Sequence, residues 1–172
     1  MALEIDLYRS VESLEKGLKT LASSTDHRKE DIEDITNFVN DISAQGVKPV
    51  RLFKYVYVLR KLSTWVNIPM RNCRKYELME LVRKIDSTTS YSDWTKYDRK
   101  VILKRFYRWI NGDEEHPKYF KWLKLKEPKN KILPEELLTE EDILNLIDTA
   151  RHVRDKAFIS TIFESGCRIG EL

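Results

Sequence analysis

The chain has 172 residues, 41% hydrophobic and 34% charged, a mix able to bury a core, which excludes a wholly disordered chain. Gly and Pro number only 5 each, too few for a turn-rich sandwich or barrel. The net charge is +3, no apolar run approaches the ~18 residues of a membrane span, and the start Met1-Ala2-Leu3-Glu4-Ile5-Asp6 is no secretory signal.

In chain order, Leu3, Leu7, Val11, Leu14, Leu18 and Leu21 recur at spacings of three and four and predict an amphipathic helix over 3–22. Ser23-Ser24-Thr25-Asp26 breaks it and offers caps for the next. A second helix over 27–45 carries the stripe Ile32, Ile35, Phe38, Val39, Ile42 and stops at Gly46. A third, 49–66, starts on Pro49 and turns Leu52, Tyr55, Val56, Leu59, Leu62 and Val66 inward. A fourth, 73–85, is marked by Tyr76, Leu78, Met79, Val82 and Ile85. Ser90 with Asp93 resembles a capping box for a fifth helix over 92–110, which buries Tyr97, Val101, Ile102, Phe106, Trp109 and Ile110. Asn111-Gly112 stops it.

Residues 113–135, with Pro117, Pro128 and Pro134, read as a connector in which a short helix at 118–123 returns to the bundle. Lys126 to Lys131 is a basic extended linker. Leu138-Thr139-Glu140-Glu141-Asp142 is an N-cap with an acidic first turn. The helix behind it continues through Ile143, Leu146, Ile147 and Ala150. Another begins near Arg154, faces Ala157, Phe158, Thr161 and Ile162 inward, and ends at Ser165-Gly166. The fold class is all-α. Two helices offer little partner surface, so residues 136–172 read as the beginning of a second domain.

Charge is unevenly spread. Residues 1–46 hold 5 Lys/Arg against 10 Asp/Glu, residues 47–131 hold 22 against 9, and residues 132–172 hold 4 against 9. A basic middle between acidic ends points to a polyanion; the plain alternative is a Lys-rich solvated surface. Residues 47–76 contain no acid at all. There Arg51, Lys54 and Lys61 share a helical face away from the apolar stripe, and Lys96, Lys100 and Lys104 repeat every four residues beside Arg99. These side chains suit phosphates, each contact releasing condensed counterions. Cys73 and Cys167 are far apart, and His27, His116 and His152 have no patterned neighbours, so no metal site is expected and the thiols fit a reducing cytoplasm.

The run Leu133-Pro134-Glu135-Glu136-Leu137-Leu138-Thr139-Glu140-Glu141-Asp142, then Arg154-Asp155-Lys156-Ala157, then Glu164-Ser165-Gly166-Cys167-Arg168-Ile169-Gly170-Glu171-Leu172 resembles the tyrosine recombinase (phage integrase) family, archaeal integrases in particular. The turn of small residues, the arginine, and the hydrophobic-small-Glu-Leu that follows resemble that family's first catalytic-arginine box. The resemblance implies a helical extension at 1–24, a SAM-like four-helix core-binding domain at 25–125, a linker at 126–135 and the start of a catalytic domain at 136–172. It implies that Arg168 clamps the scissile phosphate and that Glu171, a helical turn on, supports it. Bottom-up, a guanidinium after a tight turn suits the charge that builds on nonbridging oxygens; a surface ion pair with Glu164 or Glu171 is the competing role.

The family's lysine hairpin, its His-x-x-Arg box and its nucleophilic tyrosine all lie beyond this pattern, so no nucleophile is assigned within the chain. The resemblance further implies double-stranded DNA as partner, self-association on DNA in a full-length parent, and neither metal nor nucleotide cofactor. Two other readings stand beside it: a DNA-binding module or regulator of recombination without catalysis, and a helical protein-interaction adaptor. A suicide DNA substrate should give no covalent adduct with this chain on a denaturing gel. An adduct mapped to any tyrosine from Tyr8 to Tyr119 would overturn the assignment, since a nucleophile needs activating neighbours.

Overall fold

The computed structural model describes residues 9–112, 120–129, 137–167 and 169. All regular structure among them is helical: α1 (Ser10–Ala22), α2 (Lys29–Ala44), α3 (Pro49–Ser63), a 3-10 turn (Met70–Asn72), α4 (Lys75–Ser87), α5 (Asp93–Ile110), α6 (Glu140–Thr149) and α7 (Val153–Ser165). No described helix is long and apolar enough to cross a membrane. The chain divides into two units, 1–128 and 129–172.

In the first unit α3 is the central element, packed against α1, α2 and α5. That is why its apolar face is broad: Leu52, Tyr55, Val56, Val58, Leu59 and Leu62 are all buried. Phe38 of α2 meets Tyr55, Phe106 and Trp109 at ring-centroid distances of 5.3–5.7 Å. The N-terminal helix, expected as a separate extension, belongs to this unit. Its Gly17 sits so close to α3 that a Cβ there would stand 3.2 Å from the Phe53 ring. Bare backbone at that position lets the two helices approach.

The inward stripes differ from the periodic reading mainly in α4 and α5. Tyr76 and Met79 are exposed, while Leu78, Leu81, Val82 and Ile85 face the core. In α5, Leu103 and Tyr107 join Ile102 and Phe106 inside. The cap of α5 is Ser92, whose hydroxyl accepts from the Thr95 amide at 3.2 Å, in place of the expected Ser90 box. None of the four residues 23–26 caps α2 directly. Ser24 instead meets His27 Nδ1 at 2.8 Å, and His27 Nε2 reaches the Arg60 carbonyl at 3.1 Å. A carbonyl can only accept, so Nε2 carries a proton, and in the neutral ring Nδ1 then accepts from the serine hydroxyl. Phe120 and Leu123 are buried against the bundle, so the connector does return to it where it is described.

The junction between α3 and α4 is tied down by polar groups from other helices. Asp31, fully buried on α2, accepts the Met70 amide at 2.6 Å and the Arg28 guanidinium at 3.3 Å. Arg28 also donates to the Val66 carbonyl at 2.9 Å. Tyr107 donates to the Met70 carbonyl at 2.7 Å. Arg71 makes a bidentate pair with Asp34, at 2.8 and 2.6 Å, and touches Glu33. The pair favours the guanidinium's charged form.

The second unit packs α6 on α7. Thr139 accepts from the Asp142 amide at 3.2 Å while Asp142 accepts from the Thr139 amide at 2.8 Å, the reciprocal cap expected of Leu138-Thr139-Glu140-Glu141-Asp142. Those bonds hold the Asp142 carboxyl below its ordinary range. Neither helix buries a residue completely: Leu146 and Phe158, both expected inside, are 44% and 45% exposed.

Burial is the main influence on Asp31 and raises its pKa; the bonds from Met70 and Arg28 only partly oppose it. A raised folded-state pKa means that its protonation favours the fold below the unfolded value of 3.8, and that this contribution is lost as pH rises through the folded pKa. Asp31→Ala should cost about 3 kcal/mol at neutral pH, because the Met70 amide is left buried without an acceptor. Asp31→Asn keeps an acceptor, so it should cost less and should lose this pH-dependent contribution. Thermal melting of the three proteins from pH 3.5 to 7 measures both effects.

Candidate nucleic-acid interface

The basic residues singled out from the sequence fall on α3 and α5, which pack side by side. Their contacts run in opposite senses along the two helices. Arg51 and Arg105 meet at Tyr55, and Arg99 lies over Tyr57, so early α3 faces late α5. Arg51, Lys54 and Lys61 of α3 and Arg105 of α5 line this seam, whereas Lys96, Lys100 and Lys104 form a separate stripe about 150° round α5, on the flank from which Lys100 reaches Asp86 of α4.

The seam is less uniformly positive than the sequence suggests. Lys54 pairs with Asp98 across the two helices, and Lys100 pairs with Asp86 at 2.8 Å. Both pairs are partly exposed and worth little to stability. Among the described residues no carboxylate pairs with Arg51, Lys61, Lys96, Lys104 or Arg105. Arg51 and Lys61 are exposed and Lys96 and Lys104 half-buried. Three cations of the seam, Arg51, Lys61 and Arg105, and two of the α5 stripe beside it, Lys96 and Lys104, are thus uncommitted to any acid among the described residues.

Arg99 departs from the expectation. It was grouped with the solvent-facing cations, yet it is only 5% exposed. Its guanidinium carbon lies 4.2 Å from the centroid of the Tyr91 ring and 5.9 Å from that of Tyr57. Nε and Nη1 find no hydrogen-bond acceptor. The electron-rich ring faces take the place of a carboxylate, and weak hydration makes a guanidinium the cation that tolerates this. Two cation partners went unnoticed in the sequence. Arg105 donates to the Tyr55 hydroxyl at 2.8 Å, and Arg51 Nε donates to the same oxygen at 3.1 Å. Their only sequence signal was Arg51 and Tyr55 lying four apart on one helix.

Arg168 and Glu171 lie outside the described residues. What precedes them is described. Helix α7 ends at Gly166 with φ +62°, and the Gly166 amide bonds back to the Ile162 carbonyl at 3.0 Å. That left-handed residue is the tight turn the sequence called for. Among the described residues no group of three His, Cys, Asp or Glu is placed to hold a metal ion. Compared with models of known protein families, with curated proteins and with solved structures, the chain matches none.

The rings around Arg99 make a prediction. Arg99→Met fills similar space without buried unpaired donors and should leave the unfolding free energy, read from urea titration, within about 1 kcal/mol of the native value. Arg99→Ala removes the packed stem as well and should cost about 2 kcal/mol. A larger loss for the methionine variant would mean that the charge itself holds the two tyrosines.

Proposed function

We propose that this chain binds duplex DNA through the α3–α5 seam, as the SAM-like core-binding part of a site-specific tyrosine recombinase, with α6 and α7 opening the catalytic domain. The observation that carries the proposal is the set of cations on these two adjacent helices: Arg51, Lys61 and Arg105 along the seam, and Lys96 and Lys104 on the neighbouring stripe of α5, have no acidic partner among the described residues, in a region balanced 22 to 9 toward basic residues. A line of phosphates neutralises such cations and releases the counterions that otherwise screen them.

The second unit supports the recombinase side. The reciprocal Thr139–Asp142 cap and the left-handed Gly166 stand where the family resemblance needs a helix start and the turn before its arginine. The exposed apolar side chains Leu144, Leu146, Phe158 and Phe163 are what a helix pair presents when further elements are needed to complete its core. In that reading Arg168 clamps the scissile phosphate in a full-length parent, whose tyrosine cleaves the strand and forms a 3′-phosphotyrosine link.

The test is fluorescence anisotropy of a labelled duplex with increasing salt. Affinity should fall by orders of magnitude between ~50 and ~200 mM, as counterion release from several phosphates requires. Lys61→Glu and Lys104→Glu should each weaken binding and flatten the salt slope by about one. Lys54→Glu and Lys100→Glu should do so less, since Asp98 and Asp86 already hold those ammonium groups. Lys19→Glu on exposed α1 should change little. Salt-independent binding, or equal losses at all five positions, would remove the seam as the DNA-binding surface.

A further inference from the structure

Around the Tyr55 hydroxyl the structure gathers two positive charges, and among the described residues no carboxylate pairs with either. Tyr55 is rooted in the core: the residue is 2% exposed and its ring rests on Phe38 at 5.7 Å. Its oxygen is therefore a fixed point. Arg51 Nε, from the first turn of α3, donates to it at 3.1 Å. Arg105 Nη1, from the last two turns of α5, donates to it at 2.8 Å, with its guanidinium carbon 5.4 Å from the Tyr55 ring centroid. One neutral oxygen thus spends both lone pairs on two cations. The two nitrogens that touch it can be no further apart than those two bonds laid end to end. Two like charges held so close repel, and a phenol oxygen cannot neutralise either. Each guanidinium keeps its remaining N–H groups free of any carboxylate among the described residues. Arg51 also stands at the positive end of the α3 dipole, which favours an anion there.

We infer that Arg51 and Arg105 together clamp a single phosphate, and that Tyr55 is the positioning residue that holds the two guanidiniums at the right separation. The inference rests on the DNA-binding reading for its occupant, one phosphodiester of the duplex backbone. A tetrahedral oxyanion with two nonbridging oxygens suits two guanidiniums that arrive from separate helices. Lysines in the same places would be mobile point charges, whereas planar forks anchored through one N–H each present the others in fixed directions.

The experiment uses the full chain with its arginine side chains labelled by ¹⁵N. Inorganic phosphate is titrated at constant ionic strength while the Nε–H signals are followed. The Arg51 and Arg105 signals should move together and saturate at one common concentration, while that of Arg83, exposed and paired with Glu80, should drift without saturating. Tyr55→Phe keeps the ring and every charge; it should retain the melting temperature to within a few degrees yet weaken the phosphate response several-fold.

The second arm is DNA. If both arginines hold one phosphate, Arg51→Gln, Arg105→Gln and the double variant should all flatten the salt slope by the same amount, about one. Tyr55→Phe should lower affinity roughly five- to tenfold at unchanged net charge. A double variant that loses twice the slope, or arginine signals that saturate at different concentrations, would show two separate contacts and end the clamp. Native DNA affinity in all these variants would do the same while leaving the DNA reading intact. A saturating phosphate response in a chain that binds no duplex would keep the clamp for free phosphate and end the DNA reading instead.

Discussion

A buried carboxylate organises the first unit. Asp31 is fully enclosed, and enclosing a carboxylate is unfavourable unless its lone pairs are occupied. They are occupied by the amide of Met70 and by Arg28, which also grips the carbonyl of Val66. The turn between α3 and α4 is thereby fastened to α2 from below, and Tyr107 of α5 fastens it from the other side through the Met70 carbonyl. Behind that fixed turn α4 packs on α5, and α5 lies alongside α3. The cationic seam is a consequence of this placement. Neither helix carries it alone.

The same junction explains why an acid-free run of sequence is not a run of free charge. Residues 47–76 contain no Asp or Glu, yet Arg71 is held by Asp34 and Glu33 from α2, and Lys54 by Asp98 from α5. Ion pairs in a helical bundle join residues tens of positions apart, and local charge counting is blind to them. The balance over 47–131 overstates how many of the cations on these helices are available.

Much of the architecture was legible because burial on a helix repeats every 3.6 residues. The stripes of α2 and α3, the stop at Gly46 and the Thr139 cap follow from spacing and side-chain chemistry alone. The errors have a common cause. Met79 sits on the shoulder of α4, about 100° round from Leu78, and Tyr76, 71% exposed, on the face opposite the core, so neither shares the period of the buried stripe. Arg99 reads as one more surface cation, because nothing local reveals that Tyr57 and Tyr91 will close over it. The meeting of Arg51 and Arg105 at Tyr55 was hidden for the same reason: it spans fifty positions and depends on how two helices pass each other. Arg168 and Glu171 rest on sequence resemblance.

Cys73 closes the turn that Asp31 secures. Its thiol is 5% exposed, lies 3.8 Å from the Pro69 carbonyl, and is pushed up in pKa by burial. A protonated, enclosed thiol is a poor nucleophile. Enclosure leaves it open to an alkylating reagent chiefly when the junction opens. With the more exposed Cys167 replaced, the side chain is thus a built-in clock: its modification rate counts the openings of the segment on which the seam depends.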